Sequence, residues 1–168
     1  MNWSFAKAIL ILPGTALVYV PAAVLWFTQN TGYAAVFPPE GAASWIGAVF
    51  PGLAGLVLMG WTVRLFATQG GGGTPAPWEP IQKFIVTGPY RYMRNPMLTG
   101  VLFFQAAESI FLHSWPLAAW TLFFFVLNTI YFIFSEEPGL AKRYGAAYLA
   151  YKRQVPRWLP RMTPYRPT

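Results

Sequence analysis

Residues 87–100 read Thr-Gly-Pro-Tyr-Arg-Tyr-Met-Arg-Asn-Pro-Met-Leu-Thr-Gly, and the pair Glu136-Glu137 follows one apolar hairpin later. Arg91 and Arg94 offer planar forks of donors that match carboxylate or phosphate, while Glu136 and Glu137 can accept from an ammonium group or from sugar hydroxyls. The rings of Tyr90 and Tyr92 present faces that attract an organic cation. Nothing in this set calls for a metal or a thiol. The chain has no cysteine and no aspartate, and its single histidine is His113. Disulfides, thiolate chemistry and multi-histidine zinc sites therefore lack their parts, and so does a Ser-His-Asp triad, a Ser-His-Glu variant aside. No metal site is expected.

Both clusters must be positioned by an unusually apolar chain. Of its 168 residues 55% are hydrophobic, 18% aromatic and only 10% charged, with mean hydropathy +0.40, which is the composition of an integral membrane protein. Apolar runs at about residues 8–28, 44–66, 97–113 and 115–135 approach the roughly 20 helical residues needed to cross a bilayer. The expected fold is all-α, with about four transmembrane helices and a C-terminal interfacial amphipathic helix. It forms a single membrane domain over 1–168, in which 1–66 are scaffold helices and 67–168 carry the recognition residues.

The formal charge of +7 is distributed by side. Gln29–Ala43 and the turn His113–Trp115 hold no Lys or Arg, whereas Lys7, Arg64, Lys83, Arg91, Arg94 and every basic residue after Glu137 fall on the other side. Positive residues mark the cytoplasmic face, so both termini and the 67–96 loop are placed in the cytoplasm. The same residues leave no charge that calls for a nucleic-acid partner. The first run reads as a retained span rather than a cleaved signal peptide.

Within the hairpin, Gln105 and Asn128 lie at matching depths. Gln105, Glu108 and Ser109 share one helical face, and Asn128, Tyr131 and Ser135 share one on the partner helix. Polar side chains at membrane depth turn toward protein, so Gln105 and Asn128 read as an interhelical hydrogen bond or as substrate contacts. Glu108, a costly carboxylate at that depth, is a candidate to line an acceptor cavity. Ser114 reads as an N-cap with Pro116 in the first turn after it, and Pro138 should kink or end the fourth helix. Beyond it Leu140, Tyr144, Tyr148 and Tyr151 recur at helical spacing, and these tyrosines read as an interfacial belt. The basic, aromatic tail from Val155 either lies along headgroups or folds back over a site. The run Gln69–Pro80 is a flexible hinge or arm without the Gly-Lys-Ser/Thr of a phosphate cradle.

One ligand that asks for both clusters is an amino-acid zwitterion joined to a nucleoside through a sulfonium, namely S-adenosylmethionine. Gly88–Gly100, Glu136-Glu137-Pro138, Arg143-Tyr144-Gly145 with Tyr148 and Tyr151, and Val155-Pro156 through Pro160, in that order, resemble the isoprenylcysteine carboxyl methyltransferase and phospholipid methyltransferase superfamily. The resemblance covers about the C-terminal half. It implies an S-adenosylmethionine-dependent membrane methyltransferase with a cofactor pocket open to the cytoplasm and a lipid-like acceptor entering from the bilayer. The family's Arg-His-Pro-x-Tyr-x-Gly element falls on Arg94, Asn95, Pro96, Leu98 and Gly100, with Asn95 in place of histidine and Leu98 in place of tyrosine. Tyr90, Arg91, Tyr92, Arg94, Asn95, Pro96, Leu98, Gly100, Glu136 and Glu137 are then the cofactor-binding candidates. Arg94, Glu108, Glu136 and Glu137 are the catalytic candidates, because an ammonium acceptor must lose a proton before it can be methylated. Relatives that methylate carboxyl groups carry arginine just before Val-Pro; here Gln154 stands there with Arg153 beside it. Gln105, Glu108, Asn128 and Arg153 are the acceptor-binding candidates. Two other classes stay open: a membrane reductase of the sterol reductase type using a nicotinamide cofactor, and a non-catalytic membrane accessory subunit. Titration with both cofactors separates the first from the methyltransferase reading, and cofactor binding without any methyl acceptor would favour the second.

Overall fold

The computed structural model describes residues 3–31, 41–72, 74 and 82–166. Among them the chain is helical. Helix α1 (Trp3–Gly14) runs through a π turn at Thr15–Tyr19 into α2 (Val20–Thr28), followed by α3 (Ala42–Gln69), α4 (Pro96–Phe111) and α5 (Trp115–Tyr131). A second π turn at Phe132–Glu136 leads into α6 (Glu137–Gln154), and a 3₁₀ turn spans Gly88–Arg91. Most of the expected hinge, and residues 32–40 of the connection between the first two spans, lie outside the described residues.

The protein is an all-α integral membrane protein. Leu10–Thr28, Ala42–Gln69 and Trp115–Gln154 are long and apolar enough to cross a bilayer. Their large side chains point outward: Trp26, Phe27, Ile46, Phe50 and Phe134 are exposed, which suits a hydrocarbon surround. The 40-residue stretch Trp115–Gln154 is twice the roughly 20 helical residues that a hydrocarbon core needs. Its apolar N-terminal half is therefore the span, and the part from Glu136 onward lies outside it. The fourth element of the expected set, α4, is only 16 residues long. It is the most enclosed helix, burying Val101, Gln105, Ala107 and Ser109.

Helix α4 is held closest by α3, where Gly55 faces Gly100. A Cβ on Gly55 would stand 2.6 Å from the Gly100 carbonyl oxygen, and one on Gly100 would stand 2.9 Å from that of Gly55. Only two glycines let these backbones meet, the device by which membrane helices pack without a hydrophobic drive between them. At the far end α4 stops at Leu112 and the chain reverses through His113 at φ 49°. Ser114 then caps α5, its Oγ accepting from the Leu117 N–H at 3.4 Å, as its position before Pro116 predicts.

The first π turn also has a chemical cause. The Val20 N–H bonds the Thr15 carbonyl, five residues back, so the next donor in that register belongs to Pro21, which has none. The Ala16 carbonyl is thereby left over, and it accepts from Gln105 Nε2 at 3.0 Å and Trp120 Nε1 at 3.3 Å. Gln105 thus ties α4 to the first span and makes no bond to Asn128, whose Nδ2 instead donates to its own helix at Phe124 O (2.8 Å). The interhelical bond expected between Gln105 and Asn128 is replaced because a proline-orphaned carbonyl is the stronger claimant on a buried amide.

Pro138 does not break the chain's helical course. A proline in the first turn of a helix has no N–H bond to lose, and α6 proceeds from it. The break lies at Gly145 (φ 55°, ψ −133°), a conformation that favours glycine. Tyr148 and Tyr151 form no exposed belt. They are buried with Val155 and Tyr165 and pack on Phe84.

Candidate functional site

The site is built by three segments that meet at one end of the bundle: residues 84–95 ahead of α4, the π turn leading into α6, and the tail after α6. Phe84, in an apolar triplet with Ile85 and Val86, stacks on Tyr144 with ring centroids 5.0 Å apart and meets the edges of Tyr148 and Tyr151 at 5.9 and 5.3 Å. Tyr151 Oη donates to the Tyr90 carbonyl at 2.6 Å, which ties the 3₁₀ turn to α6. The tail then straps the segment from the other side. The Arg94 and Asn95 N–H groups donate to the Pro156 and Arg157 carbonyls (2.9 and 3.3 Å), Arg161 N–H to Tyr92 O, and Tyr165 N–H to Arg91 O. Of the two courses open to the tail, it takes the fold back over the site.

Beside the first two of these segments lies a cavity of about 460 Å³, completed by residues of α1, α3, α4, α5 and α6. Its polar wall holds Tyr90, Arg94, Asn95, Asn128, Glu136 and Glu137. An aromatic wall comes from Phe66, Phe84, Tyr144, Tyr148 and Tyr151, and toward the membrane the cavity is bounded by Leu12, Pro13 and Ala16 opposite Phe124 and Tyr131. The sequence motif thus places Tyr90, Arg94, Asn95, Leu98, Asn128 and both glutamates on one cavity. Arg91, Tyr92, Pro96, Gly100, Gln105, Glu108 and Arg153 are not part of its lining. Arg91 donates through Nε to the Tyr165 carbonyl at 2.8 Å, Gly100 is spent on the contact with Gly55, and Arg153 and Tyr92 are exposed. Phe84, Lys83 and the α1 residues were not signalled by any motif, although the lone apolar triplet in a polar loop marks a segment that must pack.

The adjacent glutamates do different things. Glu137 is buried and accepts from Arg94 Nη1 and Arg157 Nε on Oε1 and from Lys152 Nζ on Oε2, each at 2.7 Å. Burial pushes its carboxyl up, but the bonds to Arg157 and Lys152 and the charge of Arg94 outweigh burial and hold it below the usual range. Glu136 lines the cavity and, among the described residues, has no hydrogen-bond or ion-pair partner. The Nε of Arg94 is likewise buried and without a partner among the described residues. Burial, and then the neighbouring Tyr151 and Glu136, raise the Tyr90 phenol well above its ordinary value, so it stays a neutral hydroxyl.

A cavity lined by Arg94, by Glu136, which no described residue bonds, and by several ring faces offers partners for a carboxylate, an ammonium and an organic cation. Among the described residues no group of three His, Cys, Asp or Glu could hold a metal ion. The sequence model of a family described as phospholipid methyltransferase matches residues 49–147, from within α3 to just past the break in α6. No curated protein and no solved structure matches the chain.

Proposed function

The chain belongs to the phospholipid methyltransferase family, and on that premise we propose that it transfers a methyl group from S-adenosylmethionine to a lipid or lipid-like amphipathic acceptor at the membrane. The observation that carries this reading is that Arg94 lines one cavity with Glu136, which no described residue bonds. Arg94 suits the cofactor's carboxylate, Glu136 its ammonium or ribose hydroxyls, and the Phe84, Tyr144 and Tyr148 rings its sulfonium. When bound, S-adenosylmethionine supplies a methyl carbon already activated for in-line displacement.

The chain's own contribution is position and dryness. The wall formed by Leu12, Pro13, Ala16 and Phe124 accommodates apolar chains of an acceptor, and Asn128 and Tyr131 offer polar contacts just below the charged end. An acceptor that arrives as an ammonium must lose its proton, and Glu136, which no described residue bonds, is the candidate to take it. Lys83, Arg91 and Arg143 at this end of the bundle fit a cytoplasmic mouth. The matched family, described as phospholipid methyltransferase, supports this reading over the reductase one.

Two measurements test the proposal on the purified full chain. The first is titration with S-adenosylmethionine in detergent micelles, where Glu136→Ala or Arg94→Ala is expected to abolish binding. Unchanged binding in both variants sinks the site assignment. The second is transfer of labelled methyl from S-adenosylmethionine into a membrane lipid extract, which identifies the acceptor by its product. Tight binding without any labelled product would favour the accessory-subunit role.

A further inference from the structure

We propose that Arg157, on the tail beyond α6, is a positioning residue: it anchors Glu137 and, through Glu137, holds Arg94 at the cavity wall. The inference rests on the cofactor reading above only in treating Arg94 as a ligand contact. Arg157 does not line the cavity. It acts instead on the oxygen that Arg94 uses, for Arg94 Nη1 and Arg157 Nε both donate to Glu137 Oε1 at 2.7 Å. The same stretch of tail also sets the Arg94 backbone, since Pro156 O accepts from Arg94 N–H at 2.9 Å and Arg157 O from Asn95 N–H at 3.3 Å. Arg94 is thus registered at both ends by adjacent residues of one strap.

The strap itself is fixed. Val155 and Tyr165 are buried, and Tyr165 exchanges two bonds with Arg91, accepting from its Nε at 2.8 Å and donating to its carbonyl at 2.9 Å. Without Arg157, Glu137 keeps Arg94 on Oε1 and Lys152 on Oε2, and Lys152 is 42% exposed. Its flexible, partly exposed stem cannot hold the carboxylate in one orientation as a planar guanidinium can. The groups that face Glu137 are Arg94 from the segment before α4, Lys152 and Tyr148 from α6, Arg157 from the tail and Glu136 beside it in the chain.

The test compares wild type, Arg157→Ala and Arg157→Lys as full chains in detergent micelles, by S-adenosylmethionine affinity and by ligand-free melting temperature across pH. Arg157→Ala is expected to weaken binding about tenfold, the low end of what a hydrogen bond to a charged group is worth. Arg157→Lys, which keeps the charge without the fork, recovers part of it. Glu137 is held low in the fold, so its ion pairs stabilise at neutral pH and lose their effect as pH falls through its folded value. The melting gap between wild type and Arg157→Ala should therefore narrow on acidification. A gap that stays constant with pH means that Arg157 only packs, and it overturns the proposal. So does unchanged affinity in Arg157→Ala. If the wild type itself fails to bind S-adenosylmethionine, the cofactor reading falls, and the pH dependence of the gap alone then decides the link from Arg157 to Glu137.

Discussion

Replacing each of the adjacent glutamates by glutamine should give opposite phenotypes. Glu137 is buried and compensates Arg94 and Arg157, whose side chains are 11% and 21% exposed, while Lys152 is exposed enough for its bond to add little. Removing one partner of a buried pair typically costs about 3–5 kcal/mol, because the charge left behind has no solvent. At about 2–4 °C per kcal/mol for a chain of this length, Glu137→Gln should melt roughly 6–20 °C below wild type. Glu136 strands nothing when neutralised, since no described residue bonds it, and its replacement also removes a like charge beside Glu137. Glu136→Gln should stay within about 0.5 kcal/mol of wild type, a shift of roughly 2 °C or less. The assay is thermal unfolding in detergent micelles followed by tryptophan fluorescence, with and without S-adenosylmethionine. A ligand at a hundred times its Kd raises stability by about 2.7 kcal/mol. Wild type should show that increment and Glu136→Gln should lose it. Equal destabilisation by the two substitutions, or a melting temperature for Glu136→Gln below that of Glu137→Gln, would refute the division of labour.

Two further substitutions address the scaffold. Gly55→Ala places a Cβ 2.6 Å from the Gly100 carbonyl and 3.0 Å from Phe104 N, so α3 and α4 must part by several tenths of an ångström. Overpacking of about 1–3 kcal/mol exceeds the roughly 0.5–1 kcal/mol that alanine gains over glycine in a helix, and the melting temperature should fall; a rise would mean that the helices are not held by this contact. Gln105→Leu and Trp120→Phe each leave the Ala16 carbonyl one donor, whereas the pair leaves it none. The double variant should lose about 1–3 kcal/mol beyond the sum of the singles, and strict additivity would show that the two donors do not share that oxygen in solution.

Much of this architecture was legible in the residues. The spans followed from apolar length, the Ser114 cap from its place before Pro116, and the convergence of the Tyr90–Leu98 segment with Glu136 and Glu137 from the hairpin between them. What periodicity could not show was which glutamate is taken up by cations, because that depends on Arg157 and Lys152 arriving beside Arg94. Tyr148 and Tyr151 looked like an interfacial belt since spacing locates a face without naming what covers it; Phe84 and Tyr165 do. Gln105 and Asn128 matched in depth, yet the bond went to Ala16, whose orphaned carbonyl is a consequence of Pro21 five residues on. Gly100 closes the motif that begins at Arg94, but its lack of a side chain serves the approach of α3.

The two π turns follow one rule, and the rule makes the site. Each ends just ahead of a residue-proline step, Val20-Pro21 in the first case and Glu137-Pro138 in the second. In each the last N–H before proline reaches back five residues, Val20 to Thr15 and Glu137 to Phe132, so the extra residue is accommodated where the next donor is missing. In the first turn the spare carbonyl is used to lock α4 and α5 onto the first span, which sets the membrane wall of the cavity at Pro13 and Ala16. In the second the wider turn ends on Glu136 itself, with Glu137 as the residue after it. Glu136 then lies against the cavity while Glu137 meets Arg94, Lys152 and Arg157. A glutamate pair on a regular helix would also diverge, but the proline after it is what fixes the turn that aims each one. Pro138 therefore belongs to the site through the register it imposes, although its ring touches none of the reacting groups.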